Sequence, residues 1–143
     1  MPHPVMFDED DPYLVRLRRV ALAFPDAEEQ IAHGRPGFRA GKCFAWYGGS
    51  TKGSADSRVR YDQALLVLPD ESDRAALAED PRCFVPAYLA PYGWVGLDLA
   101  AGGTTAPDEV DWQEVAELLD ASYRQVAGAR RVAALDERGG PAG

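Results

Sequence analysis

The sequence predicts an α+β domain in which an antiparallel sheet is flanked by N-terminal and C-terminal helices. Three features carry that expectation. They are an apolar stripe at helical spacing near the start, a glycine-punctuated run of aromatic and β-branched residues in the middle, and a capped amphipathic segment near the end. At 143 residues the chain has the size of one domain and buries roughly two thirds of the surface its unfolded form exposes. No disulfide or metal is needed to hold such a core together.

The first helix starts at Asp11, whose carboxylate suits the free amides of a helix start, and Pro12, whose fixed φ suits the first helical position. Leu14, Leu17, Ala21 and Phe24 recur on one side while Arg16, Arg18 and Arg19 fall away from it. Pro25 stops the hydrogen-bonding pattern, so the helix is expected to end at about Phe24. Strands are expected near 30–33, 37–40, 42–47 and 58–68, with Gly41 as the tight-turn residue between the second and third. Residues 48–57 hold no apolar side chain larger than alanine and read as a mobile loop or hairpin tip. The fourth strand begins with alternating polar residues and becomes apolar through Leu68, so it runs from a half-exposed position into the interior.

A short helix follows from about Glu71 with Asp70 as its cap, then a tyrosine-rich turn after Pro86 and a strand over 94–99, with Gly102 and Gly103 breaking the chain. The last helix opens on Asp111 and Glu114, and Trp112, Val115, Leu118, Leu119 and Val126 form its stripe. It is expected to stop near Gly128 or fray through residue 135, leaving a disordered Gly-rich tail. The domain organisation expected is a loose N-terminus over 1–10, one domain over 11–128, and a fraying helix end and tail over 129–143.

The formal net charge of −8, from 23 acids and 15 bases, opposes strong nonspecific binding to polyanions. The acids gather at the two ends of the domain. Between Arg35 and Arg60 lie Arg35, Arg39, Lys42, Lys52, Arg58 and Arg60 against the single acid Asp56, so six minus one leaves +5. Cys43 and Cys83 have no neighbours at zinc spacing and read as buried free thiols of a cytoplasmic protein. The acidic start, through Asp8-Glu9-Asp10-Asp11, is the reverse of a secretion signal, and no stretch is long and apolar enough to span a bilayer.

The order of several segments resembles the MmcQ/YjbR family. Leu22-Ala23-Phe24-Pro25-Asp26-Ala27-Glu28-Glu29 is similar to that family's helix-ending segment, and His33-Gly34-Arg35-Pro36-Gly37-Phe38-Arg39 with Lys42-Cys43-Phe44-Ala45 to the opening of its sheet. Val85-Pro86-Ala87-Tyr88-Leu89 with Gly93-Trp94-Val95-Gly96-Leu97-Asp98-Leu99 resembles its central signature, and Leu118-Leu119-Asp120-Ala121-Ser122-Tyr123 its final helix. The resemblance spans about residues 14–126. It implies a double-wing arrangement of sheet and helices and a role in DNA binding, and it supplies no catalytic residues. The long Gly/Ser segment after Tyr47 and the acidity depart from the pattern.

Candidate chemistry is sparse. His33 is the histidine inside the predicted domain, His3 lying in the terminus, and no partner for acid–base work is visible in the sequence. A Cys43–His33 nucleophile pair would need neighbouring strands to juxtapose the two, and a buried structural thiol is the simpler reading. In Gly48-Gly49-Ser50-Thr51-Lys52-Gly53-Ser54 the lysine precedes its glycine, so the run lacks the order of a phosphate-binding loop. The acidic terminus lacks the fixed oxygen cage that calcium needs.

Two readings of the function stay open. In the first, the chain is a noncatalytic binding module for nucleic acid, using Arg35, Arg39, Lys42, Lys52, Arg58 and Arg60 on one basic strand surface with interleaved aromatics. In the second it binds a small molecule, or as the less favoured variant acts on one as an enzyme, in an aromatic cleft of Tyr88, Tyr92 and Trp94 with His33. Neither calls for a cofactor, a metal, a membrane or a second copy of the chain.

Overall fold

The computed structural model describes residues 5–54, 56–101 and 106–141. His3, the Gly102-Gly103 break and the last two residues of the tail lie outside them. The elements run α1 (Pro12–Ala21), β1 (Glu28–Ala32), β2 (Arg35–Ala40), β3 (Lys42–Ser50), β4 (Arg60–Val67), α2 (Glu71–Ala78), β5 (Cys83–Phe84), β6 (Val95–Asp98), α3 (Trp112–Val126) and α4 (Ala129–Glu137). All neighbouring strands pair antiparallel in the order β1-β2-β3-β4-β6-β5. The chain is therefore α+β, as the composition of its segments predicts.

Each helix start is encoded locally. The carboxylates of Asp11, Asp70 and Asp111 accept from the amides of Tyr13, Asp73 and Glu114, and Pro12 occupies the first position of α1. The apolar stripes of α1 (Leu14, Leu17, Ala21) and α3 (Val115, Leu119, Tyr123) bury against one sheet face, where Phe38, Phe44, Tyr47, Leu65, Val67 and Leu97 meet them. Phe24, just past α1, closes an aromatic triad with Phe44 and Tyr123 at centroid distances of 5.6, 4.9 and 5.3 Å.

The register of β2 on β3 slips at Phe44. Phe38 pairs with Ala45 but Arg39 pairs with Cys43, so Phe44 is the extra residue of a bulge. Phe44 and Ala45 consequently both face inward and are both fully buried. The buried Ser122 hydroxyl donates to the Phe44 carbonyl at 2.5 Å, and its Oγ in turn accepts from the Leu68 amide at 3.0 Å. Gln125 donates to the Leu68 carbonyl at 2.8 Å. Side chains of α3 thus take over where the β3–β4 ladder ends.

On the second sheet face, Gly37, Trp46, Leu66, Gly96 and Phe84 sit opposite one another across five strands. The glycines make room. A Cβ at Gly37 would approach Trp46 to 2.8 Å, and one at Gly96 would approach Phe84 to 2.4 Å. Tyr61 stacks on Phe84 at 4.1 Å.

Several boundaries differ from the sequence reading. His33 is not in a strand: with Gly34 it forms a two-residue turn, both at positive φ (54° and 79°), between β1 and β2. Gly48 to Ser50 belong to β3 rather than to a loop, with Gly48 in the left-handed region at a second register shift. Residues 5–10 are tied down, since the Met6 amide donates to Gly34 and Phe7 packs on the core. The chain does break at Gly128, but 129–137 form a separate helix instead of a frayed end. Leu135 is fully buried in the core, Arg131 pairs with Asp26 at 3.1 Å, Asp136 pairs with Arg124 at 2.7 Å, and Arg138 donates to the Ala23 carbonyl. Core packing thus continues past residue 128.

Leu135→Ala is expected to lower the unfolding free energy by about 2–4 kcal/mol, measured by urea denaturation, because it opens a cavity under α4. Ser122→Ala is expected to cost about 1–3 kcal/mol in the same measurement, because it strips the Phe44 carbonyl and the Leu68 amide of their buried partner.

Candidate functional site

The strand register sorts the basic residues into two groups. β2 starts, β3 ends and β4 starts at one end of the sheet, as the Ser50–Arg60 pair shows. Arg35, Lys52, Arg58 and Arg60 lie at that end. Arg39 pairs with Cys43 and Ala40 with Lys42 at the other. Ser50 lies seven positions along β3 from Cys43, about 23 Å of extended chain. The single basic strand surface expected from the sequence is therefore divided.

Within the first group the side chains are not equivalent. Arg35 is only 11% exposed and reaches Asp62 at 3.3 Å. Burial pulls its guanidinium below its ordinary pKa, with Asp62 and a hydrogen bond to it acting in the opposite direction. Gly48 is what admits it, since a Cβ there would come within 2.0 Å of Nη1. Arg60 is exposed and bonds Asp62 through Nε at 3.1 Å. Lys52 and Arg58 stand exposed on the hairpin tip. That tip is braced rather than loose: Thr51 and Val59 exchange two bonds at 2.9 Å, and the Ser54 carbonyl accepts from Arg58 at 2.9 Å.

The tyrosine-rich segment lies beside this tip. After β5 the chain returns toward the end of β3, where the Ala87 amide donates to the Ser50 carbonyl at 2.8 Å. The adjacent Tyr88 holds a left-handed conformation with φ 67°. Tyr88 and Tyr92 are 87% and 76% exposed, and Val85 and Val59 are exposed with them. Residues 85–94 carry no charged side chain. A single turn of 3-10 helix at Ala90–Tyr92 ends at Gly93 in the left-handed region. The Arg74 guanidinium from α2 covers Gly93, where a Cβ would meet Nη2 at 2.6 Å.

With their rings in solvent, Tyr88 and Tyr92 do not enclose the aromatic cleft expected from the sequence. Trp94 is half-buried, and the His33 ring lies 6.5 Å from that of Trp46. Arg74 and Val59 were not singled out in the sequence. The only signal for Arg74 was a lone cation on an otherwise acidic short helix, and the Ala87–Ser50 contact has no local signature.

Two open clefts among the described residues lie elsewhere. One, of about 730 Å³, is lined by Asp26, Glu28, Glu29, Gln30, Arg39 and Arg131. Its cations are engaged, Arg39 by Gln30 and the Gly41 carbonyl and Arg131 by Asp26. The other, of about 460 Å³, is bordered by Asp8, Asp11, Asp62 and Arg60 beside the N-terminal segment.

Nucleophilic chemistry finds little support in the geometry. Cys43 donates to the Ala45 carbonyl at 3.2 Å, and burial raises its pKa. It sits at the Arg39 end of β2 while His33 precedes Arg35, so the strands do not juxtapose them. Burial likewise pushes the Cys83 thiol up to about 11, with the charge of Asp80 adding to the effect. Among the described residues, no three His, Cys, Asp or Glu side chains converge in a way that would hold a metal, and no helix is long and apolar enough to cross a membrane.

A six-stranded antiparallel sheet with helices packed on one face, and an end built from a hairpin tip and a tyrosine loop, defines the class: a small α+β domain of the kind anticipated from the motif order. The family model for YjbR matches residues 22–125, and the chain belongs to the YjbR family. No curated protein and no solved structure matches it.

Native-state alkylation of Cys83 by iodoacetamide at pH 8 is expected to run about a hundredfold or more slower than that of an unfolded cysteine, because a thiol titrating near 11 holds about a thousandth of its population as thiolate. Mass spectrometry of time points reads this directly. A rate near that of the unfolded chain would restore a reactive thiol to consideration.

Proposed function

We propose that this protein is a noncatalytic nucleic-acid-binding module whose contact surface is the hairpin tip carrying Lys52 and Arg58 together with the neighbouring Tyr88–Tyr92 loop. The observation that carries this reading is the Ala87–Ser50 hydrogen bond, which joins two separate sequence segments into one surface. The tip contributes exposed cations and the loop contributes exposed rings, the two components of an electrostatic and stacking contact with nucleic acid. Residues 51–60 hold Lys52, Arg58 and Arg60 against Asp56, a local balance of three minus one, or +2, in a chain of net −8. Local charge, not net charge, governs contact with phosphates inside about one Debye length.

The same inventory bounds the strength. Arg60 shares its charge with Asp62 and Arg35 is turned inward, so two to three phosphates are neutralised. That number gives a slope of log K against log salt of about −2 to −3 and a loss of roughly ten- to fortyfold between about 50 and 200 mM. A small-molecule site at Tyr88 and Tyr92 fits less well, because ligand pockets enclose most of their ligand and these rings stand in solvent.

Fluorescence anisotropy of labelled DNA at low and moderate salt is expected to show binding with this shallow slope. Lys52→Ala/Arg58→Ala is expected to weaken it at least tenfold and to flatten the slope by about 2, whereas Arg39→Ala, at the far end of the sheet, leaves it unchanged. Absence of binding at the lower salt, or equal loss from Arg39→Ala, would refute the assignment.

A further inference from the structure

Resting on the nucleic-acid reading of this surface, we infer that its ligand is a single strand, with Tyr88 and Tyr92 stacking on unpaired bases while Lys52 and Arg58 hold the neighbouring phosphates. Several observations converge. The other described Phe, Tyr and Trp rings are buried or half-buried: Phe24, Phe44 and Tyr123 form the core triad, Tyr61 stacks on Phe84, and Trp46 lies across Gly37. Tyr88 and Tyr92 alone among the described aromatic residues are more than three quarters exposed. Tyr88 is held outward at φ 67°, a conformation that costs a non-glycine residue energy and that concentrates at ligand-contacting positions.

The platform and the track are also chemically distinct. Residues 85–94 have no charge with which to attract or repel phosphate, so their rings are free to face bases, and the cations sit on the adjoining tip. A strand whose bases point to the loop and whose phosphates follow the tip satisfies both at once. A duplex satisfies only the second, since its base faces are stacked away. Neither of the first two helices suits a groove. α1 begins after Asp8, Glu9, Asp10 and Asp11, and the first turn of α2 carries Glu71 and Asp73, charges that phosphates repel.

The test compares oligothymidylate, its duplex with oligoadenylate, and an abasic strand of equal length, by anisotropy at matched salt. Vesicles of phosphatidylcholine with phosphatidylglycerol serve as a competing anionic surface. The thymidylate strand is expected to bind at least tenfold tighter than the duplex or the abasic strand. Tyr88→Ala and Tyr92→Ala are each expected to weaken it about tenfold, equivalent to about 1.4 kcal/mol, with an unchanged salt slope. Tyr88→Phe and Tyr92→Phe retain the ring and are expected to retain binding. Equal affinity for strand and duplex with no effect of the alanine variants overturns the single-strand inference and leaves the Lys52/Arg58 surface standing. Failure to bind any oligonucleotide overturns both, and binding to the vesicles alone reassigns the surface to a membrane.

Discussion

The fold depends on how one extra residue in β3 is accommodated. A bulge at Phe44 places two consecutive residues inside and leaves an unpaired carbonyl in the core. A buried carbonyl without a donor costs free energy comparable to a lost hydrogen bond. Ser122 of α3 supplies that donor and, with the same oxygen, receives the Leu68 amide. The hydroxyl thereby sets the position of α3 along the sheet. The triad of Phe24, Phe44 and Tyr123 sets the position of the α1 exit against both, and the Tyr123 hydroxyl completes the contact by donating to the Pro25 carbonyl at 2.7 Å.

This constraint also divides the molecule into two ends. At the Phe44 end, α3 and α4 close over the sheet, and Arg131 and Arg138 fasten α4 to the segment after α1. Arg39 and Lys42 belong to that end, where acids and carbonyls surround the arginines. At the opposite end, β3 and β4 run on into their hairpin tip, and the chain leaving β5 is caught by Ser50. Exposed cations and exposed rings meet there, on the hairpin tip and on the loop that the Ala87–Ser50 hydrogen bond holds beside it.

Much of the secondary structure was legible locally. Asp11, Asp70 and Asp111 announce their helices through side-chain acceptance, a chemistry confined to three or four consecutive residues. Gly41 marks its turn by a φ of 78° that other residues resist. Features that depend on distant partners were less visible. The run 129–137 reads as a weak helix by propensity and becomes a distinct element because Leu135 finds a place in the core. Gly48 and Gly49 read as loop, yet they are strand residues whose missing side chains admit Arg35 and Leu66. The aromatics of the second face, Trp46, Tyr61 and Phe84, gave no hint of which rings would be covered and which exposed.

The site shows the same division. From sequence alone came the residue types, the local excess of basic charge between Arg35 and Arg60, and the tyrosine-rich turn, since composition and order are properties of short segments. Register then separated Arg39 and Lys42 from Lys52 and Arg58, because antiparallel pairing sends residues a few positions apart to opposite ends of a sheet. A single backbone hydrogen bond from Ala87 to Ser50 joined the tip to the tyrosines across thirty-seven positions of chain. Such a bond uses groups that every residue except proline possesses, so no side-chain pattern encodes it, and only the folded sheet brings the two groups together.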